Sequence, residues 1–99
     1  MTLTVVWSVQ ARNQFIATLT CIAKEDPLTA ELVHKRVDKS LKLLSESPDM
    51  GVQAPTAGVR TYAVPKTGHS FDYRRVADQL RVQRWYRQRQ KPVSAEGNA

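Results

Sequence analysis

Ninety-nine residues, 41% of them apolar and seven aromatic, suffice for one small core and are too apolar for a disordered chain. No apolar run approaches the ~18 residues of a membrane span. The start MTLTVVW lacks the pattern of a signal peptide and the single Cys21 has no disulfide partner, so a reducing, cytoplasmic setting is expected. Residues 60–91 hold nine Lys/Arg against Asp72 and Asp78, while residues 1–59 balance six basic with six acidic side chains; the net +6 is thus a local field, whose natural partner is nucleic acid, an acidic protein segment or a membrane surface.

Leu3, Val5 and Trp7 alternate with Thr4 and Val6, which predicts a short strand. Ser8 is a good N-cap for a helix over about residues 9–24, where Ala11, Phe15, Leu19 and Ile22 share one face. Asp26 caps a second helix and Pro27 suits its first position. Ala30, Val33, Val37, Leu41 and Leu44 form its apolar stripe, and Ser47-Pro48 ends it. On the back of this helix Leu28, Leu32, Arg36, Lys39 and Leu43 also line up, either as scattered surface leucines or as a contact for a partner helix. Residues 45–58, rich in Pro, Gly and Ser, read as a loop.

Three strands follow, Val59–Pro65, His69–Val76 and Leu80–Arg87, joined by short turns at Lys66-Thr67-Gly68 and Ala77-Asp78-Gln79. Strict alternation puts Leu80, Val82, Arg84 and Tyr86 on one face of the last strand and Arg81, Gln83, Trp85 and Arg87 on the other. Residues 88–99 are polar and small, a tail expected to fray. The order β-α-α-β-β-β predicts an α+β fold of one domain over residues 1–87: a helical hairpin on one face of a small, mainly antiparallel sheet, with arginines on the other face or the open edge.

Several short motifs, in this order, resemble the RelE/ParE superfamily, the toxins of bacterial toxin–antitoxin pairs. They are Val6-Trp7-Ser8 with Ala11, Asp26-Pro27 with Ala30, Leu44 followed by Pro48-Asp49-Met50-Gly51, Gly58-Val59-Arg60, Tyr73-Arg74, and Leu80-Arg81-Val82-Gln83-Arg84. The likeness spans roughly residues 3–87. Asp-Pro in the hairpin and the Pro-Asp-Met-Gly loop look more like the ParE side than the RelE side. The resemblance implies a toxin that poisons DNA gyrase and is silenced by an antitoxin whose C-terminal segment wraps it. The RelE alternative implies mRNA cleavage on the ribosome. A third reading is a basic nucleic-acid-binding domain without toxicity. Many relatives carry a histidine at the end of the last strand, where this chain has Arg87; its absence speaks against nuclease chemistry.

Ribonuclease action requires a base, an acid and cations for the phosphorane charge. Arg60, Arg81, Arg84 and Tyr86 are the residues such an enzyme would use. A base is harder to place: His69 reads as a solvated turn residue and His34 as a structural residue near the buried edge of its helix. For a binding toxin, Leu28, Leu32, Arg36, Lys39, Leu43, Arg60 and Arg74 are the expected antitoxin contacts. Arg60 also has a plainer role, solvated or paired with Asp72. Trp85, between arginines, either fills the sheet packing or stacks on bases. Cys21 reads as a small packing residue. One Cys and two distant His offer no metal-ligand spacing, and no cofactor motif is present.

Overall fold

The computed structural model describes residues 2–88. It runs β1 (Thr4–Trp7), α1 (Val9–Glu25), α2 (Pro27–Glu46), a 3-10 turn (Pro48–Met50), β2 (Val52–Gln53), β3 (Val59–Val64), β4 (His69–Val76) and β5 (Gln79–Arg87). The predicted α+β architecture is the one observed. The 3-10 turn and β2 lie inside the segment read as loop, and α2 extends to Glu46. Of the tail expected over residues 88–99, Gln88 is described, its N–H donating to Gly68 O at 3.0 Å, and residues 89–99 lie outside the described residues.

Both helices begin at their capping side chains. Ser8 Oγ accepts the Ala11 N–H at 3.0 Å. Asp26 Oδ1 accepts from the N–H groups of Leu28 and Thr29, and Thr29 Oγ1 donates to Asp26 Oδ2 at 2.7 Å. The Asp26 N–H donates back to Ile22 O, so one residue both closes α1 and opens α2. Hydrogen bonding from Thr29 holds the Asp26 carboxyl below the usual carboxylate pKa.

The sheet order is β1-β5-β4-β3-β2, with β1 parallel to β5 and the other pairs antiparallel. The first and last strands are therefore neighbours, which places α1 beside β5. The hairpin covers one sheet face. Leu3, Ala11, Phe15, Val33, Val37, Leu41 and Leu44 pack there against Val64, Phe71, Tyr73, Leu80, Val82 and Trp85. Removing this apolar surface from water is the main drive for the fold.

A β-bulge decides what the two faces of β5 present. Val82 pairs with Tyr73 and Arg84 with Asp72, leaving Gln83 without a partner in β4. The extra residue reverses the alternation. Leu80, Val82 and Trp85 all face the helices, while Arg84 and Tyr86 face away from them. This corrects the expectation that Arg84 and Tyr86 share a face with Leu80 and Val82, and that Trp85 lies opposite. Ser8 pins the bulge: its N–H donates to Val82 O and its hydroxyl to Gln83 O. Trp85 is core. It packs on Phe15 at 4.8 Å and His69 at 5.1 Å between ring centroids, and its indole N–H donates to Thr18. The base-stacking reading of Trp85 is thereby excluded by burial.

Candidate functional site

The face of the sheet without helices gathers charge from two strands, β4 and β5, with β3 alongside. Register sets its rows: Val59, Arg74 and Arg81; then Thr61, Asp72 and Arg84; then Ala63, Ser70 and Tyr86. Rows two residues apart along a strand are separated by about 6.8 Å, and neighbouring strands by about 4.8 Å. Arg74, Arg81 and Arg84 thus surround Asp72. Of the sequence candidates, Arg74, Arg81, Arg84 and Tyr86 meet here. Arg60 does not, and neither do two other arginines of these strands, Arg75 and Arg87: each is in register with a side chain of the helix-covered face, Tyr73, Leu80 and His69 respectively.

Asp72 is the hub of this face, and no local motif in the sequence marks it as a site residue. Its Oδ1 accepts hydrogen bonds from Thr61 Oγ1 at 2.7 Å and Tyr86 OH at 2.9 Å. Its Oδ2 accepts none among the described residues, and no arginine forms an ion pair with it there. Arg81 Nε donates to Gln79 and an Arg74 guanidinium nitrogen to Ala57 O, whereas Arg84 is exposed with no such partner among the described residues. Burial and the bond to Asp72 push the Tyr86 phenol up to about 12. At neutral pH that hydroxyl is a weak acid whose proton is already donated.

Arg60 turns to its own loop. One guanidinium nitrogen donates to Gly51 O at 2.7 Å and Asp49 O at 3.3 Å, and the other pairs with the Asp49 carboxylate at 3.8 Å. The expected Arg60–Asp72 pair is not formed, because the two residues point to opposite faces. The loop is also held from beneath: buried Tyr73 donates to Pro48 O at 2.6 Å and accepts the Gly51 N–H at 2.9 Å. Burial raises the Tyr73 phenol pKa.

His69 is not a solvated turn residue. It opens β4, is 7% exposed, and stacks on Trp85. Its Nδ1 lies 3.0 Å from Thr67 O, an atom that only accepts, so Nδ1 carries the proton. Burial lowers its pKa, with Arg87 adding to the effect. It sits on the helix side of the sheet, away from Asp72 and Tyr86. His34, expected near the buried edge of its helix, is instead 54% exposed, flanking Phe15 and Asp38. Cys21 is exposed and does not fill the core. Among the described residues no cluster of His, Cys, Asp or Glu is placed to hold a metal ion, and no helix is long and apolar enough to cross a membrane.

The second feature is the outer side of the hairpin. Leu28 is 72% exposed, Leu32 46% and Leu43 41%, with Lys39 exposed and Arg36 half-buried along the same line. They follow the helical spacing foreseen for the back of α2.

No protein-family model and no curated protein matches the chain. Solved structures do. The chain is similar to a protein of the chromosomal ParDE TA system from P. aeruginosa, with a TM-score of 0.74 and 18% identity over 87% of this chain and 96% of that one. It is also similar to the YoeB/ParE toxin from Agrobacterium tumefaciens, with a TM-score of 0.57 and 15% identity over 86% of this chain and 98% of that one. The chain therefore has the fold of ParE-like toxins over nearly their whole length.

Proposed function

We propose that this chain is the toxin of a bacterial type II toxin–antitoxin pair, that it resembles ParE in acting by binding DNA gyrase in the cytoplasm, and that a cognate antitoxin silences it. The fold shared with a protein of a ParDE system supports the toxin reading. The chemistry of the open face supports binding over catalysis. Its phenol, Tyr86, is raised to about 12 with its proton donated to Asp72, and both histidines lie elsewhere. The alternative, a RelE-like ribosome-dependent endoribonuclease, draws on one observation: Arg81, Arg84 and Tyr86 share that face.

The antitoxin reading uses the outer hairpin. Leu28, Leu32 and Leu43 are apolar anchors for an amphipathic helix, and Arg36 and Lys39 favour an acidic one. Leu32→Glu with Leu43→Glu should weaken that complex while leaving the fold intact, because both side chains are already solvent-exposed. Unchanged affinity by calorimetry rejects this placement.

The target is tested with purified protein, relaxed plasmid, gyrase and ATP. Loss of supercoiling, or linear DNA, is the expected result. Untouched gyrase, together with codon-positioned mRNA cuts that vanish in Arg84→Ala and Tyr86→Phe, transfers the assignment to the nuclease.

A further inference from the structure

The open face is basic in sum but not uniformly basic. Asp72 sits among Arg74, Arg81 and Arg84, with one carboxylate oxygen occupied by two hydroxyl donors and the other free among the described residues. A group left in this state can still take a strong donor, and a cation satisfies it best. The arginines around it, Arg84 above all, can take anions.

We infer that the open sheet face is a docking surface for an extended acidic peptide segment that carries one Lys or Arg, with acidic side chains over Arg74, Arg81 and Arg84 and the cation over Asp72. Charge complementarity chooses the occupant. A nucleic-acid backbone is anionic at every phosphate, so a strand laid across this face meets repulsion at Asp72. A peptide can alternate its charges every few ångströms and match the rows. The hydroxyls of Thr61 and Tyr86 hold the carboxylate in place before the partner arrives, so little side-chain freedom is lost at that point on docking. The surface is distinct from the leucine line on α2, and it deepens the toxin reading by giving the antitoxin segment a charge pattern rather than a net charge.

The test uses short probes in place of the partner: Ac-EEKEE-NH2 and Ac-EEQEE-NH2, titrated into the full chain at 0.15 M salt and followed by NMR shifts and calorimetry. At that ionic strength distant charges are screened beyond about 8 Å, which isolates the local pairing. The Lys peptide carries less negative charge, so the preference is read as a ratio of affinities in the native chain and in Asp72→Asn, whose amide keeps an acceptor for Thr61 and Tyr86. The expected result is a ratio about threefold or more in favour of the Lys peptide relative to the Asp72→Asn protein, the size of one local ion pair. Arg84→Gln should weaken both peptides. Equal ratios in the two proteins overturn the proposal, as does absence of binding by either peptide at millimolar concentration. So does a ten-nucleotide single strand that displaces the peptides and is indifferent to Asp72→Asn. A normal peptide preference with untouched gyrase counts against the gyrase reading alone; gyrase inhibition with equal ratios counts against this docking surface alone.

Discussion

The loop over residues 48–51 offers a quantitative test of packing. Gly51 has φ −71° and ψ 162°, an ordinary extended conformation, so glycine is not required there by the backbone. It is required by space. A Cβ on Gly51 would lie 2.5 Å from Tyr73 Oη, 2.8 Å from Tyr73 Cε1 and 3.0 Å from Thr61 O. The Tyr73 ring is 1% exposed and cannot swing aside, so Gly51→Ala should cost about 1–3 kcal/mol, the usual penalty of overpacking a core. Tyr73→Phe should cost about 1–3 kcal/mol for a different reason: the buried Gly51 N–H and the Pro48 carbonyl lose their shared partner. The two costs are coupled, because the hydroxyl that is lost in one variant is the worst obstacle in the other. The double variant should therefore be less destabilised than the sum by about 1 kcal/mol, with the 2.8 Å contact to Cε1 keeping the relief incomplete. Each kilocalorie corresponds to about 4–8 °C in Tm for a domain of this size. Urea unfolding of the four proteins, followed by far-UV circular dichroism, gives the cycle. Additivity within about 0.3 kcal/mol would refute the claim that the hydroxyl is what Gly51 makes room for.

Three further predictions concern pH, at Tyr86, His69 and Asp26. Tyr86 is raised from its ordinary value of 10 to about 12, so the neutral phenol is favoured by folding; the stability this confers is complete below pH 10 and is lost as pH rises through 12. Alkaline unfolding should shift in Tyr86→Phe, and an unshifted curve rejects the Asp72–Tyr86 bond. His69 has a lowered pKa, so its contribution is present above 6.5 and is lost as pH falls through the lower folded value; in histidine NMR titrations its ring should titrate below pH 6.5, and titration at or above that value contradicts its stacked, buried placement. Asp26 has a lowered pKa as well, so the cap joining the helices should weaken as pH falls below 3.8; the acid limb of the Tm curve should flatten in Asp26→Asn, and an identical limb counts against the cap.

Much of this fold could be read from local signals. Ser8, Asp26-Pro27 and Ser47-Pro48 mark the helix ends because caps and proline act within a few residues of themselves. The apolar stripe of α2 and the solvent-facing leucines behind it follow from helical period alone. The one-sided charge follows from where the Lys and Arg residues fall along the chain. What the chain order could not supply is the pairing across strands. Gln83 looks like any strand residue until β4 is laid beside it; only then is it the unpaired residue of a bulge. That one insertion moves Trp85 into the core and turns Arg84 and Tyr86 out to the open face. Asp72 has no local mark of importance, because its partners Thr61 and Tyr86 are 11 and 14 residues away. His69 is buried for a similar reason: the ring it stacks on, Trp85, comes from the neighbouring strand. Local chemistry decides where elements begin and which stripe is apolar; register, which is settled when distant strands pair, decides which charges meet.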